Sequence, residues 1–74
     1  MNPYGKKTLD CLELCAWPIG SAERQAKEQA LYQAYSEKAV EACIRNHSDL
    51  FEWGVSARTA WLTEKGKAAI ADRL

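Results

Sequence analysis

Apolar side chains between residues 8 and 47 recur at the three- and four-residue spacing typical of amphipathic helices. The first helix is predicted over Thr8–Trp17, with Thr8 as its N-cap and Pro18 preventing its continuation. Its apolar residues cover so much of the helix surface that we expect the helix to be well buried. These residues are Leu9, Cys11, Leu12, Leu14, Cys15 and Ala16.

Two more helices are predicted on either side of Ser36, because the apolar stripe changes phase there. The first stripe comprises Ala30, Leu31, Ala34 and Tyr35, and the second comprises Val40, Cys43, Ile44 and His47. On one straight helix these stripes would face opposite directions, whereas a break lets both face one core. Ser21 and Ser36 are suitable N-caps, which predicts helices over 21–35 and 36–47. A plain helical hairpin or one long surface helix is the alternative.

The pattern changes to that of a strand pair and a final short helix after residue 49. Aromatic and apolar residues in 50–53 and 58–62 predict two strands joined by a turn at Gly54. Alternatively, 50–53 extends the preceding helix and leaves a single strand. Thr63 is a suitable N-cap for a last helix, with Glu64 in its first turn. Ala68, Ala69 and Ile70 give this helix a small apolar face. The prediction is a mainly α fold with a small β-hairpin, forming a single domain over residues 1–74.

The run Leu62-Thr63-Glu64-Lys65-Gly66 resembles the segment of winged-helix regulators in which a wing strand ends and a last helix begins. The small and apolar residues of 30–43 resemble a helix-turn-helix, with Ala34 where that family usually has glycine. The resemblance implies a winged-helix arrangement of three helices, a wing and a C-terminal helix. It also implies a small DNA-binding regulatory protein without catalytic activity.

Charge gives this hypothesis little support, because ten Lys and Arg balance ten Asp and Glu, and DNA affinity comes largely from neutralised phosphates. The candidate nucleic-acid contacts are Lys38, Arg45 and Asn46 on the third helix and Arg58 on the wing. Lys and Arg can recognise guanine and Asn can recognise adenine in the major groove. Two carboxylates on the same helix, Glu37 and Glu41, would repel phosphates. Other candidate phosphate contacts, or simple solubility charges, are Lys6, Lys7, Lys65 and Lys67.

Three tryptophans in 74 residues support a second hypothesis, a protein-binding adaptor or inhibitor of the kind found in phages and mobile elements. We expect two of Trp17, Trp53 and Trp61 to lie in the core. An exposed third would indicate a protein interface, since Trp is enriched at binding hot spots. This protein would use the same fold without binding nucleic acid.

The cysteines and the histidine form two pairs with helical i, i+4 spacing, Cys11 with Cys15 and Cys43 with His47. If these faces packed together, they could form a Cys₃His zinc site. The spacing differs from that of short zinc motifs, so we expect three buried cysteines and neither metal nor cofactor. Cys43 and His47 could pair as a thiolate and a base. The sequence offers no group to orient this base and no Gly-rich phosphate loop. We therefore expect that the protein is not an enzyme.

Localisation follows from the distribution of apolar residues. No apolar run approaches the ~20 residues that a membrane span needs. The first seven residues lack the apolar stretch of a signal peptide. We therefore expect an intracellular, cytoplasmic protein without a membrane partner.

Overall fold

Within residues 4–72, the part of the chain that this computed structural model describes, the fold consists of four α-helices and a two-stranded antiparallel sheet. The order of the elements is α1 (Lys6–Ala16), α2 (Ala22–Tyr35), α3 (Glu37–Arg45), β1 (Phe51–Glu52), β2 (Trp61–Leu62) and α4 (Glu64–Ala69). A 3₁₀ turn, Ala57–Thr59, lies between the strands. The prediction of a mainly helical chain with a small antiparallel strand pair is therefore confirmed.

Helix α1 is the central element, since it packs against α2, α3, β2 and α4. Its N-cap position is Gly5, three residues before the predicted cap Thr8, and no side chain caps it, so Thr8 lies inside the helix. The predicted end before Pro18 is confirmed. Five of the six predicted apolar residues are buried and Ala16 is half-buried.

The predicted break between α2 and α3 is confirmed, and Ser36 is the only residue between the two helices. Ser36 ends α2, and its hydroxyl then accepts a hydrogen bond from the Ala39 amide at 3.2 Å as the N-cap of α3. The φ angle of Ser36 is +88°, a left-handed conformation that costs a non-glycine residue about 1–3 kcal/mol. The conformation that favours glycine therefore occurs at Ser36, and not at Ala34 as the helix-turn-helix comparison suggested.

The inward face of α2 differs from the predicted stripe. Leu31 is buried and Tyr35 is half-buried, but Ala30 and Ala34 are exposed. Arg24 is buried instead, with 3% of its surface exposed. The apolar pattern did not indicate this, because a charged residue counts as outward-facing in any hydrophobic periodicity.

Asp10 joins α1 to α2 as a buried carboxylate. It accepts hydrogen bonds from Lys6 Nζ at 2.8 Å and from the Tyr35 hydroxyl at 2.9 Å, and Lys27 Nζ lies 3.7 Å away. Burial acts to raise the pKa of Asp10, but these three partners outweigh it and the pKa is lowered.

A depressed carboxyl pKa stabilises the fold above the unfolded-state value of about 3.9, and this stabilisation is lost as pH falls through the folded-state value. We therefore expect Asp10→Asn to lower the free energy of unfolding near neutral pH. The difference from wild type should shrink toward acid pH. Urea unfolding of both proteins across that range measures it, and a pH-independent difference would contradict this role.

The strand pair is shorter than predicted. Phe51 pairs with Leu62 and Glu52 pairs with Trp61. Arg58 lies in the 3₁₀ turn and not in a strand, which corrects the prediction of a strand over 58–62. Ser56 explains the difference: its hydroxyl accepts from the Arg58 amide at 3.1 Å, and its carbonyl accepts from the Thr59 hydroxyl at 3.0 Å. Such local bonds compete with a strand ladder.

Helix α4 begins at the predicted cap, and the cap also fixes the helix to the preceding loop. The Thr63 hydroxyl accepts from the Gly66 amide at 3.1 Å and donates to the Asp49 carbonyl at 2.7 Å. The Thr63 amide donates to the Leu50 carbonyl at 3.0 Å. Lys65 Nζ adds an ion pair with Asp49 at 2.7 Å. The Thr-Glu-Lys-Gly run therefore docks α4 on the residues that lead into β1.

The core lies between α1, the inner faces of α2 and α3, and the strands. Its largest fully buried side chains are Phe51, Leu12, Ile44, Leu50, Ile70, Val40 and Cys11. None of the helices within residues 4–72 has the length and apolar character needed to cross a lipid bilayer.

Candidate functional site

Helix α3 turns one face to solvent, and this face carries most of the predicted nucleic-acid contacts. Lys38, Ala42 and Arg45 are all exposed. Lys38 and Arg45 are seven residues apart, which is about two helical turns and about 10 Å along the axis on the same face. Asn46 is the C-cap residue: its amide donates to the Ala42 carbonyl at 2.9 Å, and the residue is exposed.

Arg58 lies against the start of α3, but carboxylates surround its charge. Its guanidinium is 3.5 Å from Glu28 of α2 and 3.7 Å from Glu37 of α3. About half of its side chain is exposed (51%). Arg58 is therefore near the other predicted contacts, yet its charge and that of Glu37 largely offset each other.

The pairing of charges elsewhere leaves α3 with an excess of free cations. Within residues 4–72, the cations in ion pairs are Lys6, Lys27, Arg58, Lys65 and Lys67. Three of the four terminal lysines proposed as phosphate contacts are thus paired with carboxylates. In the same part of the chain, the exposed cations outside any ion pair are Lys7, Lys38 and Arg45. Two of these three lie on the exposed face of α3.

The third free cation, Lys7, lies beside α3. The neighbouring Thr8 hydroxyl is 3.6 Å from Cys43 Sγ on α3. A hydrogen bond from Cys11 lowers the pKa of the Cys43 thiol against the opposing effect of burial, and Thr8, His47 and the charge of Lys7 lower it further. Because Lys7 directly precedes Thr8 in α1, its backbone lies close to α3. No signal in the sequence distinguishes it from the other terminal lysines.

One carboxylate remains on this surface. Glu41 is half-buried on the flank of α3 and belongs to no ion pair within the described residues. At about 100° per residue it lies about 60° around the helix from Lys38. The balance on and around the exposed face of α3 therefore favours positive charge, but Glu41 reduces it.

The cysteines do not form the hypothetical Cys₃His site. Cys11, Cys15 and Cys43 are all buried with free thiols, as the preferred interpretation predicted. Among residues 4–72, no group of three or more His, Cys, Asp or Glu side chains is arranged to hold a metal ion. Burial raises the pKa of Cys15 to about 11, so this residue carries a neutral thiol near neutral pH.

Cys43 and His47 are close, but the histidine nitrogen facing the sulfur is already used. His47 Nδ1 is 4.0 Å from Cys43 Sγ and 2.7 Å from the Cys43 carbonyl oxygen. A carbonyl oxygen only accepts, so Nδ1 carries the proton and has no lone pair for the thiol in the neutral ring. This geometry does not suit Nδ1 as a general base for Cys43.

The tryptophans are placed differently from the expectation. Trp17 and Trp61 are exposed, at 40% and 44%, and Trp53 is half-buried against the core. None of the three is a fully buried anchor, so the prediction of two core tryptophans is wrong. Trp17 follows the last turn of α1, and Trp61 faces outward from β2.

Comparisons with protein-family models, with curated proteins and with solved structures found no match for this chain.

Proposed function

We propose that this chain is a small DNA-binding regulatory protein with a winged-helix-like arrangement, in which α3 enters the major groove. The observation that carries the proposal is the position of the free exposed cations of the described residues: Lys38 and Arg45 lie on α3, and Lys7 lies beside it. A neutral chain can bind phosphates if its other charges are paired internally. Lys38 and Arg45 supply charge along one helix face, and Asn46 extends that face.

The order of elements also supports the proposal. Two helices meet at Ser36, the second exposes a charged face, and a strand pair with an intervening loop follows. In winged-helix proteins this order places the second helix in the groove and the loop beside it, over the backbone. Arg58 lies in that loop. In the free protein its guanidinium forms an ion pair with Glu37, at the position where a phosphate would bind in the complex.

The salt dependence of binding to a mixed-sequence duplex tests this function. Three phosphate contacts predict a log–log slope of about −2.7, at roughly −0.9 per contact. Arg45→Ala should remove one phosphate contact, which makes the slope shallower by about 0.9. It should also weaken binding at every salt concentration. Glu41→Gln should strengthen binding, because it removes a charge that repels phosphate. Fluorescence anisotropy of a labelled duplex measures the affinity of wild type, Arg45→Ala and Glu41→Gln at each salt concentration.

Two matched variants separate this surface from general charge. Lys67→Gln also removes one exposed positive charge, but from α4, and should leave the slope near the wild-type value. Arg58→Ala should cost less affinity than Arg45→Ala, because Glu28 and Glu37 already offset the charge of Arg58. No binding at low salt, or equal losses for Arg45→Ala and Lys67→Gln, would contradict the proposal.

A further inference from the structure

A groove of about 490 Å³ lies between the end of α1, β2 and α4, and none of its described lining residues belongs to α3. Its walls include Trp17 and Ile19 on one side and Trp61 on the other, all of them exposed. Soluble chains seldom leave two tryptophans and an isoleucine exposed around one concave surface without a binding role. Trp is also the residue most enriched at interface hot spots.

The groove is preorganised, because Arg24 ties its two walls together from beneath. Its guanidinium donates to the Trp17 carbonyl at 3.2 Å and to the Ala60 carbonyl at 2.9 Å, directly before Trp61. A third bond goes to the Arg58 carbonyl at 3.0 Å. The loop that follows Trp17 is closed by Ser21, whose hydroxyl and amide both donate to the Pro18 carbonyl, at 2.8 and 3.1 Å. These hydrogen bonds therefore fix the backbone at Trp17 and directly before Trp61.

The charge of the groove is positive. Arg24 and Lys67 line it, whereas no Asp or Glu is among its described lining residues. Arg24 is 3% exposed, and its guanidinium donates to the main-chain carbonyls of Trp17, Arg58 and Ala60. Within residues 4–72 it forms no ion pair with a carboxylate. Lys67 lies at the rim with 62% of its side chain exposed, and its partner Glu64 is itself 93% exposed. A ligand carboxylate would therefore meet Lys67 directly, while the charge of Arg24 beneath the groove adds to the attraction.

We infer that this groove docks an acidic peptide segment of a partner protein, which inserts a large apolar side chain between Trp17 and Trp61 and places a carboxylate near Lys67 and Arg24. The apolar walls provide the anchor pocket, and the two cations select the charge of the residues beside the anchor. This site uses none of the cations on or beside α3, so it does not depend on the DNA-binding proposal.

A random-peptide display library, panned against the immobilised protein, identifies the ligand chemistry from the sequences that it enriches. We expect the selected peptides to combine Asp or Glu with Leu, Ile, Phe or Trp. Their affinity should fall at least about tenfold for Trp61→Ser, a loss typical of a hot-spot truncation. Panning against Lys67→Glu should select peptides with fewer acidic residues.

Val55→Ser is the matched control for the loss of an exposed apolar side chain, since Val55 is fully exposed and does not line the groove. It should bind the selected peptides like wild type. The inference is overturned if panning enriches no peptide, if the enriched peptides lack acidic residues, or if Trp61→Ser binds them unchanged. Concentration-dependent dimerisation that Trp61→Ser abolishes would assign the groove to a second copy of this chain and would also overturn it.

Discussion

Arg24→Met is expected to destabilise the fold by about 3–5 kcal/mol, which is much of the stability available to a chain of 74 residues. The substitution keeps the length of the side chain but removes a charged donor from the carbonyls of Trp17, Arg58 and Ala60. A hydrogen bond to a charged group contributes about 1.5–3 kcal/mol, and a buried carbonyl left without a donor adds a desolvation cost. Urea unfolding followed by far-ultraviolet circular dichroism measures the loss.

Arg45→Met is the matched control, because it replaces an arginine that is exposed and outside any ion pair within the described residues. It should change the free energy of unfolding by no more than about 0.5 kcal/mol. Arg24→Lys should fall between the two, since an ammonium group lacks the planar fork that reaches several carbonyls at once. If Arg24→Met is as stable as Arg45→Met, Arg24 does not hold the two segments together.

Gly66→Ala is expected to destabilise the protein by about 2–3 kcal/mol, although alanine is the better helix former. Propensity alone predicts a gain of about 1 kcal/mol in a helix interior. A Cβ atom at position 66 would overlap the carbonyl oxygen of Leu50. This oxygen belongs to the backbone just before β1, so it cannot rotate away as the end of a flexible side chain could. Moving α4 outward would also break the bond from the Thr63 amide to that oxygen. The sign of the change therefore distinguishes close packing from propensity.

Gly54→Ala controls for the loss of a glycine as such. A Cβ atom there meets nothing within 4 Å. Its effect on the free energy of unfolding should stay within about 0.5 kcal/mol. Thermal unfolding of both variants beside wild type completes the comparison, and a stabilised Gly66→Ala would mean that α4 does not approach Leu50 this closely.

The starts of α2, α3 and α4 followed from the sequence because their signals are local, whereas α1 begins without a side-chain cap. Ser21, Ser36 and Thr63 act within three residues as caps, and Pro18 acts on the turn that precedes it. The Thr-Glu-Lys-Gly run was informative because the cap and the glycine contact act on the same helix. The break at Ser36 was predicted, but its positive φ was not, since the backbone conformation of a serine leaves no mark in composition or periodicity.

The groove and the charge pairing could not be predicted, because both depend on contacts between distant residues. Arg24 bonds to carbonyls 34 and 36 residues away, and main-chain carbonyls carry no residue-type signal. Trp17 and Trp61 follow the apolar pattern, which assigns large rings to the core. Net charge could not show the pairing for a similar reason: it does not tell which cations have a partner, and Lys65 and Asp49 form one ion pair in the fold.

The central claim is that α3 is the surface that meets DNA, and a nuclear magnetic resonance titration tests it most directly. Uniformly ¹⁵N-labelled protein would be titrated with a mixed-sequence duplex at low salt, and amide shifts would be followed residue by residue. We predict that the largest changes occur between Lys38 and Asn46 and at Lys7, with the indole signals of Trp17 and Trp61 unmoved. Changes confined to the groove, or no changes at a saturating duplex concentration, would contradict the claim.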